Sequence, residues 1–450
     1  MSKIRLHGSS SGYTEIAPVA ASGNNTLTLP DDGTILSKDA AGAVGVTSIK
    51  SSNVNVGAAV TITESGIEAS GIGITCASIN GTQIGGRRNI IINGAMQVAQ
   101  RGTSSSSSGN TQQTVDRFYV DVGGADEQPT QAQVDVASGT TPYTLGFRKS
   151  YKITNGNQTS GAGGTDYIAY IMKLEAQDIA NSGWNYTDPN SFITLSFWIK
   201  SSVAQAFSGS LRSVDGSVYH YKYDTPSLSA DTWTKVVKTI PGNANLTFNN
   251  DNGHGFTFSL QAFIGTTYTS SNSDTETWVA YSSTKFANNM TSTWYTTNDS
   301  TIELTGVQLE VGPQATAFEH RSAAEELSLC RRYCYVITGD GTQGGNGSGE
   351  VAISENATLY QATNLFCSVP FKVSMRAKPS LSVTTGTNYY IAYSNNGGTN
   401  LDGSQISMNG NTGTENIVLT NNGSSIGTSG HSAIFRTNNT SSKLTISAEL

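Results

Sequence analysis

Charge is what this sequence has least of. Lys, Arg, Asp and Glu make up 13% of its 450 residues, against roughly 25% in ordinary globular proteins. The formal net charge of −7 is thinly spread and no basic stripe occurs, which excludes nucleic acid as a partner. Arg87-Arg88 and Arg331-Arg332 are isolated pairs, read as local salt-bridge or carbonyl partners. Long apolar runs are missing too, so no membrane insertion is expected. The opening MSKIRLHGSSSG has no apolar core of a secretory signal, and the expectation is folding in a cytoplasm. Cysteine is limited to Cys76, Cys330, Cys334 and Cys367, read as reduced thiols buried like small hydrophobes. Cys330 and Cys334 lie one helical turn apart, but their surroundings offer no metal-ligand spacing. No metal and no cofactor are expected.

Aromatic residues are absent between Tyr13 and Phe118. Residues 1–86 alternate strand-sized pieces (KIRLHG, YTEIAPV, NTLTLP, GTILS, VNVGAAVTIT) with Gly and Ser. One copy of such a segment cannot bury a conventional core. Either it is disordered, or its strands are buried against copies of themselves. The near-repeats GIEAS, GIGITCAS and INGTQIGG favour the second option, since short units that cannot bury a face alone stack. The expectation for 1–86 is a trimeric stem, a β-prism or triple-β-helix-like structure.

Gly, Ser, Thr and Asn take the place of charge, with 48 Gly. Helix formers are scarce, β-branched residues and turn formers frequent, and the architecture should be all-β. RRNIIINGAMQVAQRG (Arg87 to Gly102) opens the main globular unit, and Ser104 to Ser108 reads as a surface loop. From Thr114 to Phe318, about eleven strands recur with turn punctuation, a pattern that fits a two-sheet antiparallel jelly-roll sandwich over 87–320. In SFITLSFWIK, Ile193, Leu195, Phe197 and Ile199 point to the core and Trp198 away from it. A short helix is expected at Leu174 to Asn181.

The stretch Thr301 to Val336 ties the halves together. Ile302, Leu304, Val307, Leu309 and Val311 are strand-like, and Gly306 breaks their alternation as a bulge would. Ser322 stands three residues before Glu325, a capping box. Ala323, Leu327, Cys330 and Cys334 follow at helical spacing. This predicts a linking helix within 321–335. Residues 336–450 follow as a distal β-sandwich, in which Phe371, Val373 and Met375 alternate, as do Leu444, Ile446, Ala448 and Leu450.

Catalytic patterns are few. Gly8 to Gly12 fits G-x-S-x-G without a strand–turn–helix context. Gly339, Gly341 and Gly344 fit GxGxxG without a following helix. The histidines (His7, His220, His254, His320, His431) show no metal spacing; His220 reads as a strand residue and His254 as a turn residue. Asn249 to Asn252 is an oxygen-rich turn, read as an Asx turn rather than a Ca²⁺ loop. Of the carboxylates available for a glycosidase pair (Glu303, Glu310, Glu319, Asp116, Asp121), none can be placed opposite another. The chain is therefore not expected to be an enzyme. Aromatic and amide richness without charge suits sugars, whose C–H faces stack on rings for about 1 kcal/mol each. Trp184 and Tyr186 in SGWNYTDPN, and Trp294 and Tyr295 in NMTSTWYTTND, are the glycan-binding candidates; core packing is the competing reading.

Several motifs carry a resemblance. The order ELTGVQLEVG, QATAFEHRS, LCRRYC, together with NGAMQVAQRGTS and VDRFYV upstream and MRAKPSLSV and a terminal SAEL downstream, is similar to tail-fibre and receptor-binding proteins of tailed bacteriophages. SGYTEIAPVAASGNNTLTLPDDGTI resembles the tail-proximal portion of such fibres. The resemblance implies a virion structural protein of the tail: a homotrimer joined to other tail proteins through its N-terminal region, with a distal tip that contacts a host surface glycan. Two alternatives stay open, a fibre-borne polysaccharide depolymerase and a head-decoration or baseplate protein without a receptor.

Overall fold

The computed structural model describes residues 87–450, apart from 107–109, 270–273, 340–348 and 424. N-terminal to these it describes only the backbone of the short strands Ile4–His7, Tyr13–Ile16, Asn53–Asn55, Val60–Thr63, Gly66–Ala69, Ser78–Ile79 and Thr82–Gln83. Each pairs antiparallel with a neighbour in the same chain. The rest of the expected stem lies outside the described residues, as do Cys76, the Gly8–Gly12 pattern, the His7 side chain and most of the glycine-rich loop after Gly339. The chain divides into two units, Met1–Cys76 and Ala77–Leu450; all that follows concerns the second.

Its first half is all-β. In chain order the strands are β1 (Ser104–Ser105), β2 (Phe118–Gly123), β3 (Thr130–Asp135), β4 (Lys149–Thr154), β5 (Tyr167–Glu175), β6 (Phe192–Ser201), β7 (Ser208–Ser213), β8 (Tyr219–Asp224), β9 (Thr234–Pro241), β10 (His254–Ile264), β11 (Trp278–Ala280) and β12 (Thr301–Val311). They form two six-stranded antiparallel sheets, ordered β9-β6-β12-β4-β3-β1 and β11-β8-β7-β10-β5-β2. Period-two alternation places one side of each strand between the sheets. Ile193, Leu195, Phe197 and Ile199 of β6 are fully buried there, as are Phe256, Phe258 and Leu260 of β10. Trp198 points the other way and packs on the outer side with Phe147 and Phe318.

The bulge in β12 sits at Gly306. Thr305 pairs with Trp198 and Gln308 with Ser196, so Gly306 and Val307 together oppose Phe197. Gly306 has φ +64°, and a Cβ there would lie 2.7 Å from Phe147 Cζ, so a side chain would be both strained and obstructed. The bulge takes the Val307 N–H out of the ladder, and it donates to Gly94 O at 2.9 Å. The opening NGAM turn is thereby fastened to the last strand of the sandwich.

The linking helix runs Ala323–Arg331, with Ser322 Oγ accepting the Glu325 N–H at 3.2 Å. Cys330 is buried against Ile92, Val98 and Tyr333. The helix stops before Cys334, which starts a strand instead. That strand is β13 (Cys334–Thr338), followed by β14 (Ala352–Gln361), β15 (Asn364–Pro370), β16 (Ser380–Val383), β17 (Tyr390–Ser394), β18 (Gly397–Leu401), β19 (Ile406–Met408), β20 (Asn416–Asn422), β21 (Ser432–Thr437) and β22 (Lys443–Ser447). They make a seven-stranded sheet, β18-β17-β21-β14-β15-β20-β19, and a three-stranded sheet, β13-β22-β16. A separate apolar core fills this half, built on Leu359, Leu365, Ile417, Leu419, Phe435, Leu444 and Ile446.

Four local expectations change. Ser104 and Ser105 join the sheet edge rather than a loop. The helix expected at Leu174 to Asn181 is limited to Ala176–Ala180, because β5 continues through Glu175. His254 begins β10 instead of standing in a turn. Phe371 to Met375 alternates in burial without being a strand, its N–H groups at Phe371 and Met375 going to Glu415 O and Thr414 O.

The two halves meet through buried charge. Glu449, just past β22, pairs with Arg117 and, at 3.2 Å, with Arg101. The Arg117 guanidinium carbon lies 3.4 Å from the centre of the Tyr333 ring, and its Nη2 donates to Lys173 O at 2.6 Å. Arg332 makes two 2.7 Å bonds to Glu175. Arg376 donates to Ala448 O, Glu449 O and Asn252 O. Glu449→Gln leaves Arg117 buried without its counter-charge and should cost about 3–5 kcal/mol. Chemical denaturation checks this, and the transition should broaden or divide as the two cores uncouple.

Candidate functional site

The four aromatic candidates sit in the core or on its edge. Trp184 is 3% exposed, and its indole N–H donates to Ser191 O at 3.2 Å. Tyr186 beside it is half-buried, edge-on to Phe248 at 4.9 Å. Trp294 is fully buried with its indole N–H on Thr301 O at 3.0 Å. Tyr295 stacks on Phe263 at 4.3 Å. Of the two readings of these rings, glycan binding and core packing, burial favours core packing for Trp184, Trp294 and Tyr295. Their loops fold back over the ends of the sandwich and use the rings to close the core, with a backbone carbonyl for each indole N–H.

The catalytic carboxylate candidates are mostly engaged elsewhere. Glu303 pairs with Lys200 at 2.9 Å and accepts from Ser150. Glu310 holds the Thr316 backbone and hydroxyl. Glu319 accepts the Arg88 and Asn89 N–H groups, and Asp116 is buried against Gln100 and Arg101. Only Asp121 lines a cleft. Among the described residues no group of three His, Cys, Asp or Glu could hold a metal ion.

That cleft, of ≈ 240 Å³, lies on the outer face of the second sheet. Alternation supplies its floor: with Phe118, Val120 and Val122 turned inward, Tyr119 and Asp121 of β2 face out. Likewise Tyr167, Ala169, Ile171 and Lys173 of β5 oppose the inward Ile168, Tyr170 and Met172. Register aligns these residues across strands. Lys173 pairs with Thr257, Thr257 with Arg212, and Arg212 with His220. Asp121 pairs with Ala169, and Ala169 with Gln261.

Described residues between β10 and β12, Tyr268 and Tyr281 to Phe286, wall this face. Asn288 ties this wall down, donating to Ser208 Oγ at 3.0 Å and Asp224 at 2.9 Å. Tyr268, Tyr281 and Phe286 from this segment join Tyr119 and Tyr167, so five rings line the cleft. Tyr167 and Tyr268 meet edge-on at 5.8 Å. Tyr281 is 37% exposed, and Arg212 lies 5.2 Å from its ring centre and 6.0 Å from that of Phe286.

Burial shifts the titrating groups. Asp121 is raised by burial, against the pull of Lys173 and Arg212. Lys173 is lowered by burial and by Arg212. Tyr119 is pushed up to about 12 by burial, with Asp121 adding to it. His220, fully buried under Tyr281 at 5.7 Å, is lowered to about 4 by burial and then by Lys222. His254 is also lowered to about 4, by burial and then by Lys173. Rings that stack and polar edges that donate and accept make this cleft suited to a polyhydroxylated ligand.

None of the nine cleft residues that carry this chemistry stood among the candidates as binding residues. One signal was present: YIAYIMKLE is almost continuously apolar, as a strand covered on both faces is.

Fold and site define an antiparallel β-sandwich protein with a ring-lined cleft on one outer sheet face. No protein-family model matches the chain, and no curated protein matches it. Among solved structures it is similar to the enzymatically active domain of bacteriophage CBA120 tailspike protein 4, at 10% identity and TM-score 0.27, over 50% of this chain and 21% of that one. The family 11 carbohydrate-binding module of Clostridium thermocellum, in complex with a mixed-linked tetrasaccharide, is 12% identical at TM-score 0.21, over 48% and 97%. The CBM22 tandem of Paenibacillus barcinonensis Xyn10C is 10% identical at TM-score 0.21, over 79% and 99%. This chain thus spans about a fifth of the tailspike domain. At these scores none of the likenesses bears on ligand or activity.

His220 and His254 stay neutral in the fold while the unfolded chain takes up protons near pH 6.5. Their contribution to stability is therefore complete above about pH 6.5 and is lost as the pH falls toward 4. A Tm series over that range should show a shallower acid decline for His220→Phe than for the parent protein.

Proposed function

We propose that this protein is a host-attachment component of a tailed-phage fibre, and that the outer-face cleft is where it binds a surface glycan. The observation that carries the binding part is the convergence of Tyr119, Tyr167, Tyr268, Tyr281 and Phe286 with Asp121, Lys173, Arg212 and Gln261 in one cleft. Pyranose rings present apolar C–H faces to aromatic rings and hydroxyls to side chains of this kind. The phage part rests on the motif resemblance. Three copies on one shaft would multiply weak sites through effective concentration. Binding goes without cleavage: a glycosidase needs two carboxylates across the bond, and Asp121 is the only one among the lining residues.

Glycan-array screening followed by calorimetry tests the cleft. Tyr281→Ala and Tyr119→Ala should each weaken binding roughly fivefold, about 1 kcal/mol per ring, while Trp184→Phe leaves affinity unchanged. New reducing ends on incubation with the bound glycan would make the protein a depolymerase instead. For the fibre, sedimentation of the whole chain should give three times the monomer mass; a monomer contradicts it.

A further inference from the structure

We infer that the cleft selects glycans carrying an anionic substituent, with Arg212 as the residue that receives it; this rests on the cleft being a glycan site. The low charge of the chain leads one to expect adhesion insensitive to salt, because few ion pairs are there to screen. At this cleft the local balance differs. Its lining holds two cations, Lys173 and Arg212, and one carboxylate, Asp121, a surplus of one positive charge in a chain of net −7.

The two cations are not equivalent. Lys173 Nζ donates to Leu450 O at 3.1 Å, so its ammonium already has an acceptor. The Arg212 side chain makes no hydrogen bond or ion pair with any described residue, and its Nε is shielded from solvent without a partner. Arg212 is half-buried, with Nε lacking an acceptor and the rest of the guanidinium open to the cleft, so an oxyanion arriving there supplies a partner that the fold does not. Its cross-strand neighbours cannot supply a charge: Thr257 is neutral, and His220 is kept neutral near pH 7 by burial. The Tyr281 and Phe286 rings sit at cation–π distance and hold the planar group in place. A fork of N–H donors fixed against a sugar-stacking ring matches a carboxylate, phosphate or sulfate on that sugar, received through two N–H donors.

The test is an array of matched oligosaccharides in uronate, phosphorylated, sulfated and neutral forms, with calorimetry on the glycans that bind. The parent protein should prefer acidic forms over their neutral counterparts, with affinity falling modestly as salt is raised; the arms show which oxyanion is meant. Arg212→Gln should lose roughly tenfold on acidic forms, a clearly larger loss than on neutral forms, and keep its Tm. Arg212→Lys, which retains charge but not the fork, should fall between. Equal or better binding of neutral forms, or an Arg212→Gln loss shared by both, overturns the inference and leaves glycan binding standing. Binding to no glycan removes the reading of the cleft, and this inference with it.

Discussion

A buried charge knot holds the larger unit together: Glu449 between Arg117 and Arg101, with Tyr333 over Arg117. Ions taken out of water are tolerated only when each is matched, and removing one partner leaves the other uncompensated. The geometry of the joint is therefore prescribed. Arg376 fixes the backbone on either side of Glu449 and reaches across to Asn252 O. Arg332 grips Glu175 with two bonds, and hydrogen bonds from Arg332, Tyr333 and Gln177 outweigh the burial that would raise the Glu175 pKa. In a chain with so little charge, Arg101, Arg117, Glu175, Arg332, Arg376 and Glu449 gather where the two cores must not slide past each other.

The same knot reaches the cleft through β5. Arg117 donates to the carbonyl of Lys173, whose side chain lines the cleft and donates to Leu450 O. Glu175, two residues further along β5, is the carboxylate that Arg332 holds. One strand thus carries both the joint and the floor of the proposed binding surface. The outer wall is built differently, from a loop excursion pinned at Asn288. A rigid floor and a pinned wall keep the five rings spaced before any ligand arrives, which reduces the ordering cost of binding.

The strands were legible wherever one face is buried and the other polar. SFITLSFWIK gave its inward residues correctly, and Gly306 announced its bulge, because a two-residue period and a glycine at positive φ are local facts. The helix start at Ser322 was legible for the same reason, its cap lying three residues from its partner. The cleft was not legible. Tyr119 and Arg212 meet only after β2, β5, β10 and β7 have found their register, and Tyr281 arrives from a loop with no periodicity. Trp184 and Trp294 misled because a ring among Asn, Thr and Ser looks solvated in sequence, whereas these loops fold inward. The Glu449 network was equally hidden, since neither its partners nor its burial is encoded near residue 449.

Arg117 and Glu449 are 332 positions apart in the chain. A ribosome finishes the whole first sandwich long before it delivers that carboxylate. During synthesis the nascent sandwich therefore carries a guanidinium awaiting its counter-ion. The Arg117–Glu449 pair can therefore form only after the second half has been translated as well.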